Sequence, residues 1–379
     1  MGAGLGFSGA PDVIVIGGGV IGCSVALRLA QARLKVMVMD SSEPGAEASS
    51  AAAGMLAPQG EMVEHDSFFD LCAASRDLYP EFVAEVEGLS GTSVGYRRDG
   101  TLLVAVDEDE CRKLEEAFAS QSRMGLPLER LEARTVGERV AGLSPRIRCG
   151  LFVPGDHWVD NERLCRALVE SCARQGVVFR RGDGARKINV QGQRVKAVES
   201  DSGSVFSAAK FILAAGCWSA ALVAPLGISL PMQPCRGQMI EFECDRELPL
   251  VVRAGHHYLV PRSPGRILAG TTVEYEGFEK PVTGEGLISI LEATSRFAPL
   301  VKSLRFLRAW AGLRPDTADH KPILGLGDLE NLIFATGHFR NGILLAPITA
   351  KLISEVVLTG KPAGGTEAYH PARFARKRA

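Results

Sequence analysis

The apolar pattern at the start of the chain changes its period twice and predicts a strand, a helix and a second strand. Val13–Ile16 is a short β-branched run, which is typical of a parallel strand covered on both faces. Apolar residues recur at helical spacing over Val20–Gln31, and Val36–Met39 repeats the strand pattern. A glycine-rich turn joins the first strand to the helix. Together these elements predict a βαβ unit of about 30 residues.

The turn in this unit has the glycine spacing of a dinucleotide-binding site. Gly17, Gly19 and Gly22 form a GxGxxG frame, and Asp40 follows the second strand. The first glycine permits the tight turn, the second lets the backbone approach a pyrophosphate, and the third lets helix and strand pack closely. The helix N-terminus offers N–H groups to phosphates, and Asp40 can accept hydrogen bonds from a ribose diol. This context favours dinucleotide binding over a glycine turn without a ligand.

Later patterns mix helices and strands and then become rich in β-structure. The elements indicated are short apolar runs at 82–86 and 102–106, an acidic helix-like stretch at 107–124, an amphipathic helix at 164–175, and strands at 177–179 and 210–216. From residue 231 to about 273, short runs broken by Gly and Pro favour an antiparallel sheet. A last strand, Leu332–Thr336, precedes an apolar helix that ends near Leu358.

The chain shows no internal repeat and no low-complexity linker, so two domains are predicted to interleave along it. The fold class is α/β, with a doubly wound, Rossmann-like domain and a mainly antiparallel β domain. The predicted boundaries are 10–89, 147–225 and 315–379 for the first domain, and 90–146 and 226–314 for the second.

Composition and charge exclude several classes of protein. Of the 379 residues, 46% are hydrophobic and 23% are charged, which suits a soluble globular protein with a large core. Because 43 basic residues balance 44 acidic ones to a net charge of −1, no overall field draws the protein to nucleic acid or an anionic membrane. The basic cluster at 373–378 is predicted to be a solvated tail.

Three further signals bear on location and metal binding. The nine cysteines form no CxxC pair and no zinc-type spacing, and they are predicted to be reduced thiols with no metal site. The apolar stretch at 11–34 is broken by glycines and by Arg28, so no membrane span is predicted. Residues 1–10 lack the features of a signal peptide and are predicted to be a frayed tail. These signals predict a cytoplasmic protein.

Four motifs, in order along the chain, resemble the glycine oxidase/D-amino-acid oxidase group of flavoproteins. They are SAAAGML at 50–56, FILAAG at 211–216, WAGLRP at 310–315 and GHFRNGILLAP at 337–347. The resemblance covers nearly the whole chain and is strongest to the bacterial glycine oxidases of the thiamine pathway. It implies FAD bound noncovalently in an extended pose, a β-rich substrate domain over the isoalloxazine face, and a homotetramer.

The cofactor residues come from the glycine motif and from this resemblance. Ser49 and Ser50 precede a small-residue run at a predicted helix start, where hydroxyl and N–H groups can hold phosphates or the flavin edge; the alternative is an Ala-rich packing helix. The turn at 337–342 presents N–H groups towards a flavin carbonyl, unless it is a structural turn in which His338 only caps a helix. The residues indicated for FAD are Gly17, Gly19, Val20, Ile21, Gly22, Asp40, Ser49, Ser50, Ala52, Ala53, Gly54, Met55, Ala215, Gly216, Trp218, Arg314, His338, Arg340, Asn341, Gly342, Ile343 and Leu344.

The substrate site is predicted around an arginine in an apolar context. A cation at Arg314 is costly to bury unless an anion pairs with it, and its guanidinium matches a carboxylate. By resemblance, Arg314 binds the substrate carboxylate, Tyr258 supports the same group, and Arg340 is a second arginine near the site; these three are the predicted catalytic residues. The alternatives are a salt bridge from Arg314 to Asp316 or Asp319, and a core-packing role for Tyr258.

Three further residues complete the predicted substrate set. Met55, His256 and Val273 are predicted to line the substrate pocket together with Tyr258, Arg314 and Arg340. For His256 and its neighbour His257, an exposed pair on a strand is the alternative. Val273 stands where bacillar-type glycine oxidases carry methionine, so the preference among glycine, sarcosine and D-alanine stays open.

The implied chemistry is hydride transfer from the substrate α-carbon to flavin N5, followed by hydrolysis of the imine and reduction of O2 to hydrogen peroxide. Two alternatives stay open. One is a D-amino-acid or N-methyl-amino-acid dehydrogenase that uses another electron acceptor, and the other is a catalytically silent FAD-binding scaffold. A sarcosine oxidase with covalent flavin is disfavoured because residues 313–315 contain no cysteine.

Overall fold

The computed structural model describes residues 9–62, 65–262 and 264–374. The strands of this part of the chain are β1 (Val13–Ile16), β2 (Val36–Met39), β3 (Met55–Leu56), β4 (Thr101–Ala105), β5 (Glu129–Glu132), β6 (Cys149–Val153), β7 (His157–Trp158), β8 (Val178–Arg180), β9 (Ala185–Gln191), β10 (Arg194–Ser200), β11 (Val205–Phe206), β12 (Lys210–Leu213), β13 (Met232–Glu243), β14 (Val251–Ala254), β15 (His257–Arg262), β16 (Arg266–Gly270), β17 (Arg305–Thr317), β18 (Ile323–Leu326) and β19 (Leu332–Thr336). The α-helices are α1 (Val20–Gln31), α2 (Ala48–Ala51), α3 (Ser67–Ser90), α4 (Glu108–Arg123), α5 (Ala133–Arg139), α6 (Asn161–Arg174), α7 (Ser219–Val223), α8 (Gly284–Phe297) and α9 (Gly342–Thr359). Short 3₁₀ helices lie at Gly216–Trp218, Ala224–Leu226, Pro299–Lys302, Glu367–Tyr369 and Pro371–Phe374.

The first large sheet is the predicted doubly wound one. Its strand order is β18-β19-β12-β1-β2-β8, and β1 pairs in parallel with both β2 and β12. Every residue of β1 and β2 is buried, because α1, α3, α6 and α9 contribute to the core on one face while β9–β11 and α7 pack on the other. The strands are therefore apolar on both faces, as the βαβ interpretation of the sequence predicted.

The second large sheet holds the order β17-β13-β16-β15-β14-β4-β6-β5. All of its neighbouring strands are antiparallel except β14 and β4, which confirms the mainly antiparallel prediction. The long pair β13 and β17 runs from Met232 opposite Thr317 to Glu243 opposite Arg305, with one shift of register between Glu241 and Phe242. Packing of α8 on one face of this sheet forms a second apolar core.

The pairing of two strands does not agree with the predicted domain boundaries. β6 pairs with β4 and β5, so it belongs to the second sheet although it follows the boundary at residue 147. β17 continues across the boundary at 314/315 as one unbroken strand. The apolar run at 82–86 lies inside α3, whose first turn is capped by the carboxylate of Asp66. The division into two domains stays a prediction. Sheet pairing places β6 and all of β17 in the second sheet, which shifts the boundaries at 147 and at 314/315 beyond these strands.

One helix in the described part of the chain, α9, has the length and apolarity of a membrane span, but 72% of that stretch is buried inside the protein against α1 and α3. Of the predicted C-terminal tail, Arg373 is docked rather than solvated, because its guanidinium pairs with Asp319 at 2.8 Å. Residues 1–8 of the predicted N-terminal tail and residues 375–378 of the basic cluster lie outside the described residues.

Candidate active site

A cavity with a volume of about 530 Å³ extends from the turn after β1 to the inner side of the second sheet. All the residues predicted for FAD line it except Gly22, Ser50 and Leu344. Of the predicted substrate residues, Met55, Tyr258, Arg314 and Arg340 line it, whereas His256 and Val273 do not. The structure therefore brings the two predicted sites together in one continuous space.

The glycine turn has the geometry that its spacing predicted. Gly17 has a φ of 104°, and a Cβ there would lie 2.4 Å from the carbonyl oxygen of Ala214. A Cβ on Gly22 would lie 1.9 Å from the carbonyl oxygen of Gly17, so this glycine serves the packing of α1 on the turn without lining the cavity. The backbone N–H of Gly18 donates to Asp40 Oδ2 at 2.7 Å. Asp40 thus shapes the turn in addition to facing the cavity.

Segment 49–54 is a cavity wall whose backbone carbonyl groups are held by side chains from elsewhere. Asn161 Nδ2 donates to the carbonyl oxygens of Ser49 and Ser50 at 2.8 and 2.9 Å. Trp310 Nε1 donates to the carbonyl of Ala51 at 3.1 Å, and Arg262 Nη2 donates to the carbonyl of Ala53 at 2.7 Å. The alternative of a simple Ala-rich packing helix is wrong, because α2 is only four residues long and the segment lines the cavity.

The two serines of this segment have different roles. Ser49 Oγ accepts a hydrogen bond from the backbone N–H of Val20 at 2.9 Å, at the N-terminus of α1. Ser50 Oγ donates to the carbonyl oxygen of Gly45 and does not line the cavity. Ser50 is therefore a structural residue, because its hydroxyl closes a local turn instead of facing a ligand.

Arg262 and Asn161 hold the backbone of the cavity wall, and the sequence analysis missed both. Arg262 Nη2 also donates to Asn161 Oδ1 at 2.7 Å, and both side chains are buried. Burial lowers the pKa of Arg262 to about 10, which leaves it a cation at neutral pH. Arg262 ends the apolar run YLVPR, so the signal that singled out Arg314, a cation in an apolar context, was present here too.

Arg314 is held by neutral groups at the substrate end of the cavity. Its Nη2 donates to Thr271 Oγ1 at 2.7 Å, and its Nη1 donates to the carbonyl oxygens of Thr272 and Arg236 at 3.2 and 3.4 Å. A Cβ on Gly237 would lie 2.2 Å from the guanidinium, so only glycine leaves space for it there. Among the described residues, no carboxylate pairs with this arginine.

The alternative of a salt bridge from Arg314 to a nearby aspartate is wrong. Asp316 accepts a hydrogen bond from the Tyr275 hydroxyl at 2.8 Å and pairs with His320 at 2.7 Å. Asp319 pairs with Arg373. Both aspartates are occupied elsewhere, which leaves the charge of Arg314 facing the cavity.

Tyr258 serves both as a core residue and as cavity wall. Its ring is 4% exposed and packs with Met239 and Trp158. Its hydroxyl lies 3.4 Å from Met239 Sδ, a weak acceptor, so the O–H group has hydrogen-bonding capacity left for a ligand.

Arg340 is already paired in this site. Its Nη2 lies 3.2 Å from Glu61 Oε1, the same oxygen that lies 3.2 Å from Arg253 Nη1. Burial alone would raise the pKa of Glu61, but the charges of Arg340, Arg253 and Arg314 hold it below its usual value. The charge of Glu61 in turn raises the pKa of Arg340. Sequence reasoning missed Glu61 because it lies in a loop without a motif.

Besides Gly22 and Ser50, three predicted residues do not line the cavity. Val273 is 48% exposed, because the chain has left the second sheet beyond Gly270; Thr271 lines the cavity in its place and donates from Oγ1 to the Gln238 carbonyl at 3.1 Å. His256 is exposed near Glu61 and Arg340, in the turn before β15; the alternative of an exposed pair on a strand is met only in part, because His257, which begins the strand, is half-buried. Leu344 is 2% exposed and packs in the core between α1, α3 and α9, one residue beyond the cavity-lining Ile343.

His338 lines the cavity in a neutral form. Its Nε2 lies 3.0 Å from Thr349 Oγ1 in α9. Burial lowers the pKa of His338 to about 3, so the imidazole carries no charge near neutral pH. The described residues contain no group of three or more His, Cys, Asp or Glu side chains that could hold a metal ion.

The residues present fit FAD. The turn at Gly17 and Gly19 gives a pyrophosphate close access to the backbone at the start of α1, and Asp40 retains acceptor capacity for a ribose. Gly54 also lines the cavity, and only glycine fits at this position, because a Cβ there would lie 2.0 Å from the carbonyl oxygen of Val159. These residues would hold the dinucleotide along the cavity and place its reactive end towards Arg314 and Tyr258.

Comparison with known proteins identifies the family of this chain. Residues 12–356 match the model of the FAD dependent oxidoreductase (DAO) family. The chain is 36% identical to a bifunctional ThiO/ThiG protein of Synechocystis sp. over 96% of its length, and it spans about half the length of such relatives. It is 33% identical to a glycine oxidase of Bacillus licheniformis, over 93% of this chain and 94% of that one. The crystal structure of glycine oxidase from Geobacillus kaustophilus superposes with a TM-score of 0.92 at 29% identity, covering 96% of this chain and 99% of that one. The chain therefore belongs to the FAD-dependent oxidoreductase family, alongside the glycine oxidases, and FAD is its cofactor.

Proposed function

We propose that this protein is an amino-acid oxidase that converts glycine, and other small amines such as sarcosine or D-alanine, to the imine. With glycine the overall reaction is glycine + H2O + O2 → glyoxylate + NH3 + H2O2. The relatives named glycine oxidase and ThiO/ThiG support this substrate class and a role in thiamine biosynthesis. FAD, when bound, supplies the two-electron acceptor for the Cα–H bond and returns the electrons to O2.

The observation that carries the proposal is the unpaired charge of Arg314. Its guanidinium faces the cavity with three neutral acceptors and, among the described residues, no carboxylate partner. A half-buried cation in that setting is stabilised by an anionic ligand, and a guanidinium binds a carboxylate through two parallel hydrogen bonds. The substrate carboxylate is that anion in our proposal, and the Tyr258 hydroxyl is placed to donate a further hydrogen bond to it.

The charges around this end of the cavity also set the protonation of the bound amine. Arg314, Arg340 and Arg253 outnumber the single carboxylate of Glu61. A net positive environment disfavours a second cation, so it lowers the pKa of the substrate ammonium group. The amine then binds as the neutral base, with its lone pair available as the Cα–H bond breaks. No dedicated catalytic base is needed for this step.

Several finer features belong to the same proposal. FAD is bound noncovalently in this proposal. A covalent tether to a cysteine of the cavity wall would have to use Cys217, but its thiol is buried and donates to the carbonyl of Leu313 at 3.3 Å. The protein acts in the cytoplasm as a homotetramer, a proposal that rests on the resemblance to its relatives. Acid denaturation is expected to release free FAD, and flavin that stays with the chain would contradict the noncovalent assignment.

The experiment that tests the function is anaerobic reduction of the purified yellow protein by glycine, sarcosine, D-alanine and D-proline in turn, followed by air. Bleaching by glycine and prompt formation of hydrogen peroxide on admission of air are the expected results. Slow reoxidation without peroxide would replace the oxidase by a dehydrogenase with another acceptor. Absence of bleaching by every amine would overturn the substrate class.

A further inference from the structure

Two thiols meet where α4 packs on β6, at residues that do not line the cavity. Cys111 lies in the first half of α4 and Cys149 begins β6, and their Sγ atoms are 2.7 Å apart. The two residues are 38 positions apart along the chain, so the contact is made by the packing of α4 on the sheet and not by local geometry. Both side chains are partly exposed to solvent.

The other seven cysteines are less exposed than Cys111 and Cys149. All of them are buried, including Cys23 and Cys172, which contact each other between α1 and α6. A small oxidant in water reaches a thiol only where it is exposed, and a disulfide forms only where a second thiol is adjacent. Cys111 and Cys149 are the cysteines of this chain that combine both properties.

The elements that carry the two thiols hold them in place. β6 lies between β4 and β5 in the sheet, and α4 packs on both β4 and β6. Near its other end, α4 carries Gln121, whose side chain exchanges hydrogen bonds of 3.0 and 3.3 Å with Gln59. Gln59 is two residues before Glu61, so α4 also supports the loop that contributes Glu61 to the cavity.

We propose that Cys111 and Cys149 are an oxidation site, at which hydrogen peroxide converts the two thiols to an intramolecular disulfide. Cys149 donates its S–H hydrogen bond to Cys111, so Cys111 is the sulfur that attacks first. A peroxide oxygen bonds to Cys111 Sγ as the O–O bond breaks, and the first water leaves. Cys149 Sγ then bonds to Cys111 Sγ as the S–O bond breaks, and the second water leaves.

The balance is two thiols and one peroxide giving one disulfide and two waters. The sulfurs lose two electrons, and the peroxide gains them. Burial and the contact with Cys111 raise the pKa of Cys149 to about 12, so little thiolate forms at Cys149 and the first attack is assigned to Cys111. The source of peroxide in the cell rests on the proposed function, since the oxidase reaction releases hydrogen peroxide.

The bond would join α4 to β6 covalently and thereby reinforce the support of the Glu61 loop. A disulfide that closes a loop of this length stabilises the native state, chiefly by restricting the unfolded chain. We therefore expect the oxidised protein to unfold at a higher temperature than the reduced protein, with its flavin still bound.

The test has two arms on the reduced holoenzyme. In the first, reagent hydrogen peroxide is added without amine, and thiols are then counted by alkylation under denaturing conditions and mapped by peptide mass spectrometry. We expect two of the nine thiols to be lost and one peptide to appear that joins residues 111 and 149. Cys111→Ser and Cys149→Ser should each lose that peptide and the rise in melting temperature, and Cys72→Ser, a buried control, should keep both.

The second arm replaces reagent peroxide by glycine and air, with catalase as a control. Failure of the first arm, with both thiols still alkylated or each oxidised singly without the joined peptide, would overturn the disulfide site. Success of the first arm and failure of the second would leave the site established and count against glycine oxidation as the source of peroxide. The two failures are therefore distinguishable.

Discussion

Arg314 shows how a single residue defines a ligand's charge. Its two terminal nitrogens donate to neutral groups, the oxygens of Thr271, Thr272 and Arg236 and the sulfur of Cys235. Neutral partners orient the guanidinium without cancelling its charge, whereas a carboxylate partner such as Glu61 does both for Arg340. Of these two arginines, only the first therefore presents an uncompensated charge to the cavity, although both stand in motifs that resemble the same family.

Replacing Arg314 by lysine should weaken substrate binding far more than cofactor binding. The ammonium group keeps the charge but loses the two parallel donors, so kcat/KM for glycine should fall about 10- to 100-fold, mainly through KM. The measurement is steady-state kinetics alongside the flavin-to-protein absorbance ratio. Arg305→Lys, at the exposed end of the same strand, is the matched control and should change neither. An equal loss of flavin in R314K would show that Arg314 chiefly supports the cofactor.

Asp156 gives a second residue-scale prediction, on pH. It is fully buried, and its two carboxylate oxygens accept from the backbone N–H groups of Gln59 and Gly60 at 3.3 and 3.0 Å. Burial raises its pKa to about 7, above the value of about 3.9 in an unfolded chain. The folded state thus binds a proton more tightly, so the contribution of this group to stability is complete below about pH 4 and is lost as the pH rises to about 7.

The difference in melting temperature between the wild type and Asp156→Asn should therefore depend on pH. The amide cannot titrate, and its loss of one backbone hydrogen bond is the same at every pH. From about pH 5 to pH 8, the wild type should lose stability relative to the variant, as measured by thermal unfolding at matched ionic strength. A difference that stays constant over this range would show that Asp156 does not change its charge there.

At the scale of elements, segment 49–54 depends on strands and helices far from it in sequence. Its carbonyl groups are held from α6 by Asn161, from β15 by Arg262 and from β17 by Trp310. Removal of one buried partner leaves the polar groups it served unsatisfied, at a cost of about 1–3 kcal/mol for each group. The wall of the cofactor cavity is therefore only as rigid as these remote contacts.

Arg262→Met should loosen this wall and weaken FAD binding. The methionine keeps apolar bulk over Trp158 but leaves the Ala53 carbonyl and Asn161 Oδ1 without their donor. We expect the dissociation constant for FAD to rise about tenfold or more, since each tenfold step corresponds to about 1.4 kcal/mol. Titration of apoprotein with FAD, followed by flavin fluorescence, measures it. Arg266→Met, which loses a partly exposed pair with Glu241, is the control; an equal effect there would contradict the assignment to Arg262.

The same elements explain what the sequence could and could not predict. The βαβ unit and its glycine turn are encoded locally, so their period, spacing and steric requirements are readable from residues 13–40. Contacts such as Arg262 with Ala53, 209 positions apart, or Arg340 with Glu61, 279 positions apart, exist only after folding. Leu344 was wrongly predicted to line the cavity for a simpler reason: neighbours on a helix point about 100° apart, so Ile343 lines the cavity and Leu344 enters the core.

At the scale of the whole molecule, the cavity lies between the two large sheets and draws its walls from both. Gly17 and Asp40 come from the first sheet, whereas Tyr258 and Arg314 come from the second. A ligand that fills this space contacts residues of both sheets at once. Its binding free energy is therefore added to the stability of the folded chain as a unit, because the unfolded chain has no such site.

Removal of FAD should consequently lower the melting temperature in a concentration-dependent way. Free FAD at 100 times its dissociation constant stabilises the native state by about 2.7 kcal/mol, which for a chain of this length corresponds to a shift of about 3 °C. Asp40→Asn should need more FAD for the same shift, since the amide carries no charge and can accept only one of the hydrogen bonds from the backbone N–H groups of Gly18 and Ser42. Differential scanning fluorimetry of apoprotein over a range of FAD concentrations measures both curves. A melting temperature that is independent of FAD in the wild type would mean that the cavity does not join the two sheets energetically. If the curve of melting temperature against FAD concentration were the same for D40N as for the wild type, Asp40 would have no part in cofactor binding.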